Sequence, residues 1–243
     1  SVIKEGSGVR PIVRNNSGTW QYNSAVSITN AWSVVHAVYS TNYVITQDTS
    51  VRSAFFKPDG TKMYVGGTQT NYIYEYNLGT AWDVSTSVYS TNNKDISAQV
   101  TNQGGLFFKP DGTKMYMALN GGTAPLNEYN LGTAWDVSTA VYSQNKSLSS
   151  QTPNPQGIFF RADGLKLYVI GTYHNRLYEY TLSTAWDVST FTFVQYKDVS
   201  GSGTGQDTNP VGLFFKDDGL KVYFAGETQR FINEYTLSTA WDI

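Results

Sequence analysis

No cysteine occurs among the 243 residues, which excludes disulfides, thiolate metal sites and a cysteine nucleophile but leaves the redox compartment open. Charge is scarce as well. Asp, Glu, Lys and Arg make up 15% of the chain, and 17 Lys plus Arg nearly balance 19 Asp plus Glu. Without a basic cluster there is no electrostatic footprint for nucleic acid or anionic lipid, so neither nucleic-acid binding nor membrane insertion is expected. No run approaches the ~20 apolar residues that span a bilayer. Ser1-Val2-Ile3-Lys4 also lacks the apolar core of a signal peptide, so any targeting segment is expected to be absent or already removed. What fills the chain instead is 18 Tyr, 12 Phe, 6 Trp and 22 Gly, the composition of a single β-rich domain.

The chain repeats itself. Phe55-Phe56, Phe107-Phe108, Phe159-Phe160 and Phe214-Phe215 recur roughly every fifty residues, each leading into a turn that ends Asp-Gly. An Ala-Trp follows each pair, at Trp82, Trp135, Trp186 and Trp241, with an earlier copy at Ala31-Trp32. Inside one repeat, Gly105-Leu106-Phe107-Phe108, a Lys109-Pro110-Asp111-Gly112 turn and Lys114-Met115-Tyr116-Met117 read as a hairpin. The alternating run Tyr72-Ile73-Tyr74-Glu75-Tyr76 reads as a third strand, and the run after each Trp, as in Ser85-Thr86-Ser87-Val88-Tyr89-Ser90, as a fourth. Four short strands per repeat predict an all-β fold, a β-propeller of four-stranded blades.

The four clear repeats are blades 47–97, 98–149, 150–204 and 205–243. Ile12-Val13-Arg14 to Trp20 resembles a degenerate first hairpin, so residues 1–46 are expected to form a first blade, giving five blades, with four as the competing count. The last repeat stops at Ile243 before an outer strand, and Ser1–Glu5 is the strand expected to complete it and remove an open edge.

The units Phe55 to Val65 and Tyr74 to Thr86 resemble the tandem repeats of propellers in bacteriophage structural and tail proteins and marine bacterial surface proteins. The stretch from Asp59 to Val65 is also similar to the YVTN-type propeller repeat. This resemblance implies a virion or extracellular surface location, with virion proteins as possible partners.

Strand order places the Pro-Asp-Gly turns and the Trp corners at one end of the blades. Their near identity suggests one structural job done four times, the Trp packing against a neighbouring blade, with sugar stacking as the alternative. At the other end the repeats diverge, which is where loops acquire specificity. There lie Gln69, Asn71, Asn120, Tyr173, His174, Arg176, Gln229 and Arg230, and beside them Gln47, Gln99, Gln151 and Gln206, each eight residues before its Phe pair. Four equivalent amides suit sugar hydroxyls or, more plainly, the backbone groups of long loops. Lys62, Lys114, Lys166 and Lys221 face Glu75, Glu128, Glu179 and Glu234 across strands, and read as surface ion pairs.

The inner strands carry no Asp, Glu or His, and His36 and His174 stand on different repeats without metal-ligand spacing. No metal, cofactor or enzymatic activity is therefore expected. The expected function is a recognition module whose variable loops contact a cell-surface glycan or receptor; a structural or protein-interaction scaffold is the alternative, and a lactonase-like hydrolase the third reading.

Overall fold

The computed structural model describes residues 39–99, 102–200, 209–228 and 230–243, together with the backbone of four short strands nearer the N-terminus. Those four are β1 (Lys4–Glu5), β2 (Gly8–Val9), β3 (Ile12–Arg14) and β4 (Trp20–Tyr22). They form two separate antiparallel pairs, β1 with β2 and β3 with β4, within a unit spanning Ser1–Tyr39. Lys4 and Glu5 therefore pair with Val9 and Gly8.

The second unit, Ser40–Ile243, contains four blades. The first is β5 (Val51–Phe56), β6 (Lys62–Gly67), β7 (Tyr72–Leu78) and β8 (Ser87–Asp95). The second is β9 (Gln103–Phe108), β10 (Lys114–Leu119), β11 (Pro125–Leu131) and β12 (Ala140–Ser147). The third is β13 (Pro155–Phe160), β14 (Lys166–Gly171), β15 (Arg176–Leu182) and β16 (Phe191–Asp198). The fourth, among the described residues, is β17 (Pro210–Phe215), β18 (Lys221–Gly226) and β19 (Ile232–Thr236). All pairings are antiparallel between sequence neighbours. The propeller expectation holds, and the count of five is corrected to four. Ile12–Arg14 does pair with Trp20–Tyr22, but that segment has neither a Phe pair nor a Tyr-Glu-Tyr strand around which a four-stranded sheet assembles.

Each inner hairpin closes through its sequence. Gly60 donates to the Lys57 carbonyl at 2.8 Å with φ +73°, a left-handed value suited to glycine, while the Asp59 carboxylate accepts from the Thr61 amide at 3.0 Å. The turns at Gly112, Gly164 and Gly219 repeat both features.

Blades pack in chain order, β5 against β9, β9 against β13 and β13 against β17. Aromatic rings fill the space between them: Phe55 meets Phe107 at 5.4 Å, Phe107 meets Phe159 at 5.4 Å, and Phe159 meets Phe214 at 5.7 Å, all edge to face. The inner strands come closest at glycine. A Cβ on Gly105 would stand 2.7 Å from the Ile158 nitrogen.

Candidate functional site

The most elaborate side-chain chemistry lies between blades, and it begins with an unusual backbone. Trp82, Trp135, Trp186 and Trp241 all have φ between +64° and +67°, a region that costs a bulky residue about 1 to 2 kcal/mol. The indole is held against the preceding Asp-Gly turn, and the Trp135 amide donates to the Gly112 carbonyl at 3.0 Å. This conformation turns the tryptophan carbonyl toward the previous blade. There the Trp135 carbonyl accepts from the Tyr64 hydroxyl at 2.7 Å and the Lys62 ammonium at 3.3 Å. Trp186 does the same for Tyr116 (2.8 Å) and Lys114 (3.3 Å), and Trp241 for Tyr168 (2.6 Å) and Lys166 (2.8 Å).

The Lys–Glu pairs belong to this arrangement, which corrects their reading as surface ion pairs. Glu75, Glu128 and Glu179 are 1 to 2% exposed, covered by the next blade. Beyond its lysine, Glu75 accepts from the Val137 amide of the following blade at 3.3 Å, and Glu128 from Val188 at 3.2 Å. A register shift in the outer strand opposite each of these glutamates turns one amide side chain inward. Gln144 thereby bridges Glu128 at 3.1 Å and Asp187 of the next blade at 2.8 Å; Gln195 links Glu179 to Asp242, and Asn92 links Glu75 to Asp136. Asp187 is held below the usual carboxylate range by the Ser189 hydroxyl and amide, against the opposing effect of burial. The buried tyrosines Tyr64, Tyr116 and Tyr168 are pushed far above the ordinary phenol range by burial first and by the nearby glutamates second. Repetition in the sequence marked the Lys, Glu and Trp positions, but it did not mark Asn92, Gln144 or Gln195, because the register shift that aims them is a property of the sheet.

At the opposite end, the candidate ligand residues separate into two groups. Asn71 and its counterpart in blade 3, Asn175, sit at left-handed positions, φ +57° and +49°, and their carbonyls accept from the Ile96 and Val199 amides that follow the outer strands, at 3.0 and 2.9 Å. The Asn120 backbone N–H donates to the Asn102 backbone carbonyl at 2.9 Å. Arg176 stacks over the Tyr196 ring at 3.9 Å and lies 3.8 Å from the Asp198 carboxylate, so it braces strands β15 and β16. The Gln47 carbonyl accepts from the buried Tyr76 hydroxyl, and that of Gln99 from Tyr129 at 3.5 Å. The Gln151 backbone N–H donates to the Leu148 carbonyl at 3.0 Å. Gln206, Gln229 and His36 lie outside the described residues.

The second group faces outward. Tyr173 is exposed, with His174 edge-on to it at 4.5 Å; Gln69 and Arg230 are exposed, and Glu227 accepts from the Asn209 amide side chain at 2.6 Å. His174 and Glu227 are proton acceptors and Arg230 is a cation, carried on the corresponding loops of adjacent blades. Asp48, buried beside the first of these loops, behaves differently. Burial pushes its carboxyl up, but the hydroxyl of Thr70 and the amides of Ser50, Thr70 and Gln69 outweigh it and hold the pKa low, so this carboxylate is saturated by the loop it organises.

A cavity of about 210 Å³ lies between blades 3 and 4, lined by Leu177, Val199, Phe224, Leu237 and Ile243 with Lys197 and Asp242 at its margin. Leu237 is the counterpart of Leu182, which in blade 3 pairs with Phe191 of the outer strand. The corresponding leucines of blades 1 and 2, Leu78 and Leu131, likewise pair with the first residue of their outer strands. Among the described residues no three His, Cys, Asp or Glu side chains gather as a metal site.

No family model matches the sequence, and no curated protein matches it. Solved structures do. A candidate 6-phosphogluconolactonase from Bacteroides uniformis aligns over 94% of this chain and 60% of its own, with TM-score 0.53 and 13% identity. A second candidate 6-phosphogluconolactonase, from Bacteroides fragilis, gives TM-score 0.53 and 12% identity over the same shares of the two chains. A protein from Lactobacillus plantarum gives 0.54 and 14%, again over 94% of this chain and 60% of its own. The likeness shows the propeller fold, and this chain spans three fifths of the length of these neighbours. It also overturns the expectation of a non-enzymatic recognition module, since propellers bearing a lactonase name share the architecture over nearly the whole chain. Glycan or receptor recognition is not retained.

Proposed function

We propose that the blade array is part of a lactonase-like hydrolase acting on a sugar lactone. The observation that carries this reading is the alignment of 94% of the chain with propellers named for 6-phosphogluconolactonase chemistry. Opening a lactone means adding water to the ester carbonyl and breaking the ring carbon–oxygen bond. A base takes a proton from the attacking water, a donor or cation meets the carbonyl oxygen as it gains charge, and the proton passes to the departing ring oxygen. The product is an open-chain hydroxy acid.

In this reading His174 is the base. It stands exposed in a loop at the variable end, against Tyr173, and imidazole both takes and returns protons. Arg230, exposed on the corresponding loop of the next blade, supplies positive charge for the oxyanion or for a phosphate on the substrate. The test is acid release from δ-gluconolactone and its 6-phosphate, followed in a pH-stat against spontaneous hydrolysis. The expected outcome is a rate above buffer that falls by roughly a hundredfold in His174→Gln, with Arg230→Ala raising KM for the phosphorylated substrate. A rate equal to the spontaneous one refutes the reading.

A further inference from the structure

The third strand of blade 3 and the loop before it follow those of blade 1 position by position. Thr172 donates its backbone N–H to the Asn154 carbonyl at 3.1 Å, as Thr68 does to the Ser50 carbonyl at 3.0 Å, and Asn175 shares the left-handed backbone of Asn71. Thr152 stands where blade 1 has Asp48. A Cβ on Gly171 would lie 2.3 Å from the Thr152 hydroxyl oxygen, and one on Gly67 would lie 2.4 Å from the Asp48 carboxyl carbon. Strand register puts Tyr178 opposite Val169 as Tyr74 is opposite Val65, so Tyr178 corresponds to Tyr74 and His174 to Thr70.

In blade 1 a single hydroxyl ties the strand to the loop. Thr70 accepts from the Tyr74 hydroxyl at 3.1 Å and donates to the Asp48 carboxylate at 2.7 Å. Blade 3 has no such bridge among the described residues. Tyr178 is 1% exposed and Thr152 0%, yet neither hydroxyl has a hydrogen-bond partner, an arrangement that costs stability. The side chain at the bridging position, His174, lies outward with its ring 4.5 Å from that of Tyr173. Burial pushes the Tyr178 phenol up and the charge of nearby Arg176 opposes this, but a guanidinium only donates, which leaves the phenol proton without an acceptor.

We propose that the His174 imidazole has a second, inward position in which it bridges Tyr178 and Thr152. The bridging group must accept from a tyrosine and donate to the residue at the Asp48 place. A neutral imidazole offers one nitrogen of each kind. It also reaches further than the threonine hydroxyl it replaces, while Thr152 is shorter than an aspartate, so the two exchanges compensate. Inward, both ring nitrogens are engaged and the imidazole cannot take a proton from water. Outward, against Tyr173, it can. Tyr178 and Thr152 together form a latch on His174. The bearing of this latch on catalysis rests on His174 being the base of the proposed hydrolysis; the inward position itself does not.

The experiment is nuclear magnetic resonance on the whole resting protein, where only His36 and His174 give imidazole signals and His174→Gln assigns them. Magnetisation transfer is expected from the His174 ring protons to those of Tyr178 as well as to those of Tyr173. In Tyr178→Phe the His174 signals should move to those of a solvent-exposed imidazole, and Thr152→Val, which removes the other hydroxyl, should move them the same way and decides the matter if the first variant does not fold. With δ-gluconolactone, kcat/KM in Tyr178→Phe should rise by the inverse of the outward fraction read in the wild-type protein. Contact with Tyr173 alone in the wild-type protein overturns the proposal, and so do His174 signals that neither folded variant moves. An unchanged rate of hydrolysis in Tyr178→Phe, when wild-type His174 is mainly inward, overturns the latch. If neither protein hydrolyses the lactone but the ring contact is present, the lactonase reading fails and the inward position stands.

Discussion

Replacing Lys114 with Met tests how the blades are held together. The substitution keeps most of the side chain's length and removes the cation from Glu128, which is 1% exposed and would keep only the Gln144 side chain and the Val188 amide as donors. Breaking a buried pair from one side typically costs 3 to 5 kcal/mol. Lys114 itself is about a quarter exposed, so solvent offsets part of the loss and the low end, about 3 kcal/mol, is expected. In a unit of this size that is a fall in melting temperature of roughly 6 to 12 °C. Lys221→Met removes the same contact where the glutamate is 28% exposed, and should cost clearly less than Lys114→Met, because solvent screens the pair. The assay is urea unfolding followed by circular dichroism, with amide hydrogen exchange locating the loosened blade in case the array does not unfold as one unit. The double variant Lys114→Met with Glu128→Leu should recover most of the loss, since an apolar pair can replace a buried ionic one. Equal costs at Lys114 and Lys221, or a double variant weaker than the single, would refute the reasoning.

Two further outcomes follow from the turns. Gly112→Ala combines a φ of +74° with a Cβ placed 2.4 Å from the Trp135 indole nitrogen, so it should cost at least about 2 kcal/mol. Gly121→Ala, with φ +81° and nothing within 4 Å, should show the backbone part alone; urea midpoints for the two separate strain from clash. The second concerns acid. The Asp111 carboxyl is subject to burial, which raises its pKa, but the Lys109 ammonium and the Thr113 hydroxyl and amide outweigh this and bring it down to about 2. Asp163 and Asp218 are lowered as well, chiefly by Arg161 and Lys216. A depressed carboxyl stabilises the fold above its unfolded pKa near 4, and that contribution disappears as pH falls toward 2. The melting temperature should therefore hold down to about pH 4 and drop below it, with a shallower drop in Asp111→Asn; an unchanged acid slope in that variant would count against the assignment.

Much of the fold is legible from Phe55-Phe56 and its copies, because a repeat that supplies a hairpin, an alternating strand and a corner can bury its faces only by stacking on itself. The miscount of blades came from Ile12 to Trp20, where a hairpin is indeed present but the ring and clamp residues that make a hairpin into a blade are missing. Lys62 and Glu75 were misread for a different reason. Alternation along β6 and β7 correctly puts them side by side, but what covers them is a corner some seventy residues further on, and strand periodicity carries no information about that. Likewise nothing in the letters Ala-Trp-Asp discloses a left-handed tryptophan, since such a backbone is normally left to glycine. Of the candidate ligand residues, Asn71 and Arg176 do local structural work that turn chemistry and cross-strand pairing could have suggested. Tyr173, His174 and Arg230 are exposed.

The separation between Lys62 and the Trp135 carbonyl it donates to is 73 residues, and this sets a schedule for the nascent chain. When the first blade leaves the ribosome its tyrosine hydroxyl, ammonium and glutamate have no corner to meet. At 5 to 20 residues per second the missing corner arrives about 4 to 15 s later, long after a hairpin can close. Each of the first three blades is therefore synthesised well before the corner that completes it, and the interval is renewed from one to the next.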